Sequence, residues 1–210
     1  HQSQNTNHHS LTMNLKTCAQ QARTILMGGV AKKISYWGFD AHGQLTEEPQ
    51  WVEGGYFFRG EAYDNAGAKP RYQKLREAIR KRGVREVTEE AAYTWFNRMV
   101  ALKILSANGY ELPTLDYADG NQHLPQLLQR ARRGEYTTYL TANEQGRIQR
   151  VLHDYAMDTA AFGILLTGYC HAHPLIQRVF GGIDDYTELL LPDDILDTNG
   201  FLHLLNTTDA

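Results

Sequence analysis

Long apolar runs are missing from this 210-residue chain, and the stretches it has are far too short to span a bilayer. No basic-then-apolar segment opens it as a secretion signal would. Cysteine is scarce: Cys18 and Cys170 lie far apart, which excludes a disulfide framework. Both sit in apolar helical patterns, so buried reduced thiols and a cytoplasmic setting are expected. An excess of one charge is also lacking. The formal net charge is −3, so the chain as a whole carries no nucleic-acid signature. Internal repeats and low-complexity linkers are absent. So are a serine–histidine–acid order and a phosphate-cradling glycine loop, since Gly28-Gly29 and Gly54-Gly55 lack the required spacing.

What remains is an ordinary folded composition, 42% apolar and 21% charged. This length suits one substantial domain or two small ones, and one mainly α domain with a small antiparallel hairpin or sheet is the economical reading. His1–Thr12 is polar and aperiodic: a disordered leader or an expression remnant, with a functional arm as the other reading. His8 and His9 have no neighbours that would make a metal site. The helical domain is placed at 13–196, and 197–210 reads as a thinning tail or a junction to a further domain.

Met13–Trp37 reads as helix, with Leu15, Ala19, Ala22, Ile25 and Leu26 on one face. Gly28-Gly29 is expected to break it, leaving a short second helix over Val30–Trp37. Gln50–Glu53 and Tyr56–Arg59 flank Gly54-Gly55, which predicts a hairpin. Lys69–Gly83 has Pro70 in its first turn, Gly83 as terminator and a buried stripe of Tyr72, Leu75, Ala78 and Ile79. Thr88 is expected to cap the next helix. There Trp95, Phe96, Met99, Val100, Leu102 and Leu105 leave a narrow polar stripe of Thr94, Asn97 and Arg98, and Asn108-Gly109 ends the helix. Glu111–Asn121 reads as loop, Leu124–Gly134 as a shorter helix and Asn143–His173 as one long helix. Pro174 sets a boundary at His173.

The clearest electrostatic feature is the basic run from Lys69 to Arg85. It holds Lys69, Arg71, Lys74, Arg76, Arg80, Lys81, Arg82 and Arg85 against the single acid Glu77. Arg76, Arg80 and Lys69 or Arg71 are expected to face solvent. Such a face suits phosphate neutralisation, with counterion release supplying affinity; the other reading is a solvated helix surface. Arg130, Arg132 and Arg133 form a second cluster, one surface with the first if the fold joins them. Cys170-His171-Ala172-His173 lacks the second ligand pair a structural zinc needs, and reads as a helix end. Asp184-Asp185 and Asp193-Asp194 read as caps or surface groups, with Asp184 expected to cap an apolar turn, rather than as a magnesium or acid–base site. Trp51, Tyr56, Phe57, Phe58 and Tyr63 read as the closure of a small sheet on helices, with base stacking or a partner grip as the alternative.

Ala92–Tyr110 (AYTWFNRMVALKILSANGY) and Ile183–Leu196 (IDDYTELLLPDDIL) resemble the N-terminal region of the BREX phage-defence DNA methyltransferases, the PglX family. LKTCAQQAR at Leu15–Arg23 matches more loosely. The resemblance covers about Leu15–Leu196 and is poor over Phe39–Asn65 and Glu111–Arg147. Such enzymes are similar to large N6-adenine methyltransferases with an S-adenosylmethionine loop and an Asn-Pro-Pro-Tyr motif. Neither occurs here, so no catalytic or cofactor residue transfers, and this segment alone is expected to be inactive. The resemblance implies a non-catalytic front domain that helps hold duplex DNA or braces the catalytic domain. The alternative is a module that docks the enzyme to other defence components or to a phage-encoded inhibitor. An acidic DNA mimic would use the same basic face.

Overall fold

The computed structural model describes residues 17–65, 67–118 and 123–208, and of residues 3–16 only a helical backbone. The expectation for His1–Thr12, His8 and His9 lies outside the described side chains, as does the end of the Glu111–Asn121 loop. The fold is mainly α with one three-stranded antiparallel sheet, as expected. In chain order it runs α1 (Ser3–Tyr36), β1 (Gln50–Val52), β2 (Gly55–Phe58), β3 (Glu61–Tyr63), α2 (Ala68–Arg82), α3 (Val84–Ala107), α4 (Gln126–Arg132), α5 (Ala142–Val151), α6 (Asp158–Ala172), α7 (Pro174–Phe180) and α8 (Phe201–Thr207). Short 3₁₀ helices occupy Tyr155–Met157 and Asp185–Leu190. No described helix is long and apolar enough to cross a membrane.

The core forms where α1 packs along α3. Leu26, Val30 and Ile34 of α1 meet Val87, Ala91, Trp95, Met99 and Leu102 of α3, all essentially inaccessible. Phe162, Leu165 and Leu166 of α6 extend this core. So do Phe201 and Leu202 of α8, in the segment read as a tail. Burial of each such side chain is worth about 1.5–3 kcal/mol, so the apolar stripe rather than helix propensity fixes each helix in place. In α2 the buried set includes Tyr72, Leu75, Ala78 and Ile79, the predicted stripe. Gly83, at φ +83°, ends α2 and starts α3.

Several local expectations are corrected. α1 runs unbroken through Gly28-Gly29. A Cβ on buried Gly29 would sit 2.6 Å from the Pro192 side chain, so that glycine serves close packing rather than helix breaking. Thr88 is no cap: α3 has already begun at Val84, and the Thr88 hydroxyl donates back to the Val84 carbonyl. Asn143–His173 is two helices, because the Asp154 side chain accepts from the Ala156 N–H and turns the chain. α5 opens on a capping box, Thr141 with Glu144, legible in the sequence Thr-Ala-Asn-Glu. Only Gly54 of the glycine pair takes positive φ; Gly55 is a strand residue paired with Val52, and β3 adds a second hairpin through Arg59-Gly60. Asp184 sits at the N-cap of the Asp185–Leu190 3₁₀ helix without a side-chain cap bond. His173 does cap α7: its Nδ1 accepts from the Ile176 N–H.

Candidate functional site

Turned by its apolar stripe, α2 presents its cations along two flanks, and most of them meet acids carried by other elements. Lys74 binds Asp185, and the Arg71 Nε lies 3.9 Å from the Glu188 carboxylate. Arg82 binds Glu90 and donates to the Tyr186 hydroxyl. Arg76 lies 3.4 Å from Glu48, Arg85 3.2 Å from Glu89, and Lys81 2.8 Å from Glu77. Asp185, Tyr186 and Glu188 all belong to the IDDYTELLLP segment, on which α2 packs directly. Lys74 holds the Asp185 carboxyl below its ordinary range, chiefly through its hydrogen bond.

Glu188 is the centre of this arrangement. It also binds Arg147 of α5, so one carboxylate lies between two guanidinium groups, with side-chain exposures of 13% for Glu188, 19% for Arg71 and 14% for Arg147. Arg71 also donates to the Gly67 carbonyl, so of the two alternatives Lys69 and Arg71 it is Lys69 that faces solvent. Neither Glu188 nor Arg147 was singled out by the sequence, because their partners are distant along the chain.

Lys69 and Arg80 are exposed and, with Arg76, share one face of α2 at helical spacing. Among the described residues Lys69, Arg80 and Arg130 have no carboxylate within ion-pair distance. The second basic cluster is not packed against the first, since α4 lies on α6. Arg132 binds Asp158 and donates to the Leu152 carbonyl, closing the end of α5; Arg133 lies 3.5 Å from Glu135.

The remaining candidates sit in separate structural roles. The Cys170 thiol is fully buried, which pushes its pKa up to about 12. His171 Nε2 accepts from the Ile183 N–H, and His173 Nε2 bonds Glu111 at 2.7 Å. Among the described residues no three His, Cys, Asp or Glu side chains converge as metal ligands would. Asp193 lies 2.9 Å from Lys33, while burial raises the Asp194 carboxyl above its ordinary range. Trp51, Tyr56, Phe58 and Tyr63 join Tyr36, Trp37 and Tyr72 in one aromatic layer between the sheet and helices α1 and α2, while Phe57 points outward.

Arg98, expected on a polar stripe, is instead 5% exposed. Its Nη2 donates toward the Phe180, Gly181 and Gly182 carbonyls at 3.2 Å each, and its Nη1 to the Thr94 carbonyl at 3.4 Å. Burial lowers its pKa from the ordinary value. The guanidinium thus closes the end of α7, and among the described residues no carboxylate contacts it.

No family model matches the chain. It is 28% identical over 206 residues to the adenine-specific methyltransferase BrxX of Escherichia coli O9:H4 (strain HS), covering 91% of this chain and 16% of that protein. The chain is thus similar to one part of the adenine-specific methyltransferases BrxX and PglX. The adenine-specific methyltransferase PglX of Lacticaseibacillus casei (strain Zhang) is 27% identical over 198 residues, again 16% of its length and 84% of this chain. The chain therefore spans about one sixth of the relatives it matches.

Proposed function

We propose that this chain is a non-catalytic, cytoplasmic module of an adenine-specific DNA methyltransferase that braces the catalytic part rather than gripping DNA through α2. One observation carries this reading: Arg71 and Lys74 of α2 are tied to Glu188 and Asp185 of the IDDYTELLLP segment, and Arg82 to Glu90 of α3. Ion pairs buried as deeply as Arg71–Glu188–Arg147 hold elements in one geometry, and removing a partner leaves an uncompensated charge. The helix acts as internal glue in a rigid prop. S-adenosylmethionine and substrate DNA belong, in this reading, to the remainder of the enzyme.

The test is deletion of the matching region from the Escherichia coli relative. Adenine methylation of DNA, read by sequencing, is expected to fall, while the purified remainder still binds S-adenosylmethionine in a titration. Undiminished methylation overturns the brace. The isolated chain is expected to bind no S-adenosylmethionine; micromolar affinity would contradict a non-catalytic module.

A second reading rests on Lys69, Arg76 and Arg80, which line one exposed flank. Phosphate contact there would be blind to sequence and steeply weakened by salt. A gel shift at about 50 mM salt, lost on changing Arg76, Arg80 and Lys81 to Glu, would favour it. The same triple change should leave the helical circular dichroism intact, because all three side chains are exposed.

A further inference from the structure

We propose that His171 and His173 form a two-point, acid-sensitive latch on α7, each holding a main-chain N–H with a ring nitrogen that must stay unprotonated.

The Cys170-His171-Ala172-His173 segment ends α6 and leads into α7. Its two imidazoles reach opposite ends of α7. The His173 Nδ1 accepts the Ile176 N–H at 3.3 Å, in the first turn of the helix. The His171 Nε2 accepts the Ile183 N–H at 3.2 Å, just past the last turn. A main-chain amide only donates, so each of these ring nitrogens presents a lone pair. The proton of neutral His173 therefore sits on Nε2, which donates to the Glu111 carboxylate at 2.7 Å. The proton of neutral His171 sits on Nδ1. The same short helix thus fixes two histidines as opposite tautomers.

A second proton on either ring has only the accepting nitrogen to occupy. There it meets an N–H, donor against donor, and the bond is lost. Acid therefore favours a state in which both ends of α7 are let go. The surrounding charges supply counter-ions for that state. Glu111 faces His173 and also accepts from the Tyr169 hydroxyl; its Oε1 is buried and accepts nothing among the described residues. Asp185, tied to Lys74 of α2, faces His171. Of the nearby cations, Arg98 of α3 is spent on the Phe180, Gly181 and Gly182 carbonyls and is faced by Asp184. Arg130 of α4 acts on Tyr139 and Tyr169, and α7 itself adds only the exposed Arg178. Cys170 and Tyr169 stay neutral, since burial raises both. Ile176, 1% exposed, and the Gln177 side-chain amide on the Cys170 carbonyl keep the middle of α7 in place, so release is a local event.

Hydrogen exchange by NMR on the whole chain, at about pH 7.5 and about pH 5.5, brackets the window in which imidazole changes charge. Protection factors divide out the intrinsic pH dependence of exchange. Those of the Ile176 and Ile183 amides are expected to fall at least about tenfold at the lower pH, while those of Trp95 and Met99 in the core change little. The double variant His171→Gln/His173→Asn keeps an acceptor at each place and has no proton to gain, so both amides are expected to lose their pH dependence. Glu111→Gln removes a counter-charge, and release of Ile176 is expected to move to lower pH. Ring-nitrogen chemical shifts of the unaltered chain are expected to place the proton on Nδ1 of His171 and on Nε2 of His173. The opposite tautomers, equal protection of Ile176 and Ile183 at both pH values, or a loss that persists in a folded double variant overturns the latch. So does release unmoved by Glu111→Gln, or an equal loss at Trp95 and Met99, which makes the change a global acid unfolding. If the double variant does not fold, the tautomers and the pH profile of the unaltered chain decide.

Discussion

Replacing Arg98 with Met keeps an unbranched stem of similar reach and removes the guanidinium, which sets two effects against each other. A buried cation without a carboxylate partner is costly to desolvate, and apolar replacement of buried charge is often neutral or stabilising. Against that stand the bonds to Thr94, Phe180, Gly181 and Gly182. Hydrogen bonds from a charged donor contribute about 1.5–3 kcal/mol each. Here a single Nη2 is shared among three carbonyls, so the set amounts to one or two good bonds. Gly181 and Gly182 are exposed, so water replaces part of what they lose. The bonds win by a small margin, and Arg98→Met should destabilise by about 1.5–3 kcal/mol. At about 2–4 °C per kcal/mol for a chain of this size, the melting temperature should drop by about 3–12 °C. Thermal denaturation followed by circular dichroism reads this directly. Hydrogen exchange should speed up locally at Ile183, whose N–H is held by His171 in the segment Arg98 pins. An unchanged or higher melting temperature would refute the reasoning and show that desolvation outweighs the carbonyl contacts.

Trp95→Ala should cost about 3–5 kcal/mol, a large share of a total of about 5–15. Trp95→Phe should cost far less, since the buried indole N–H has no partner to lose among the described residues; urea titration separates the two. Glu188→Gln strands Arg71 and Arg147 and should cost about 3–5 kcal/mol. Asp185→Asn, in a pair whose side chains are 58% and 54% exposed, should stay within about 1 kcal/mol by the same assay. The Asp185 carboxyl titrates below its ordinary value, so this small contribution is present above the unfolded pKa and fades as pH falls through the folded one. Cys170 should resist alkylation in the folded protein, as read by mass spectrometry, because its thiol is neutral below about pH 12. Raised on folding, that pKa makes a stabilising contribution that is intact at neutral pH and is lost as pH climbs from the usual thiol range toward 12.

Local periodicity and punctuation were legible without coordinates. The stripe Tyr72, Leu75, Ala78 and Ile79, the central place of Trp95, Met99 and Leu102, and the stops at Gly83, Asn108-Gly109 and His173-Pro174 depend on residues within a turn or two of one another. So did the first hairpin, where Gly54 lies between β-prone runs. The similarity to adenine-specific methyltransferases was legible for the same reason, as contiguous strings of residues.

The destination of the charges was decided by the tertiary structure. A run of eight cations against one acid reads as a phosphate-binding face until the fold brings Asp185, Glu188 and Glu48 to it. Arg98 sits at a position that a helical wheel assigns to solvent, yet α7 covers it and offers carbonyls as partners. Gly29 looks like a helix breaker until Pro192 is seen to fill the space its missing side chain leaves. Hydrophobic periodicity is a property of neighbouring residues, so the sequence displays it. Ion pairing, capping by remote side chains and close backbone approach fall off within a few ångströms in space and take no account of separation along the chain, so only the packed structure could assign them.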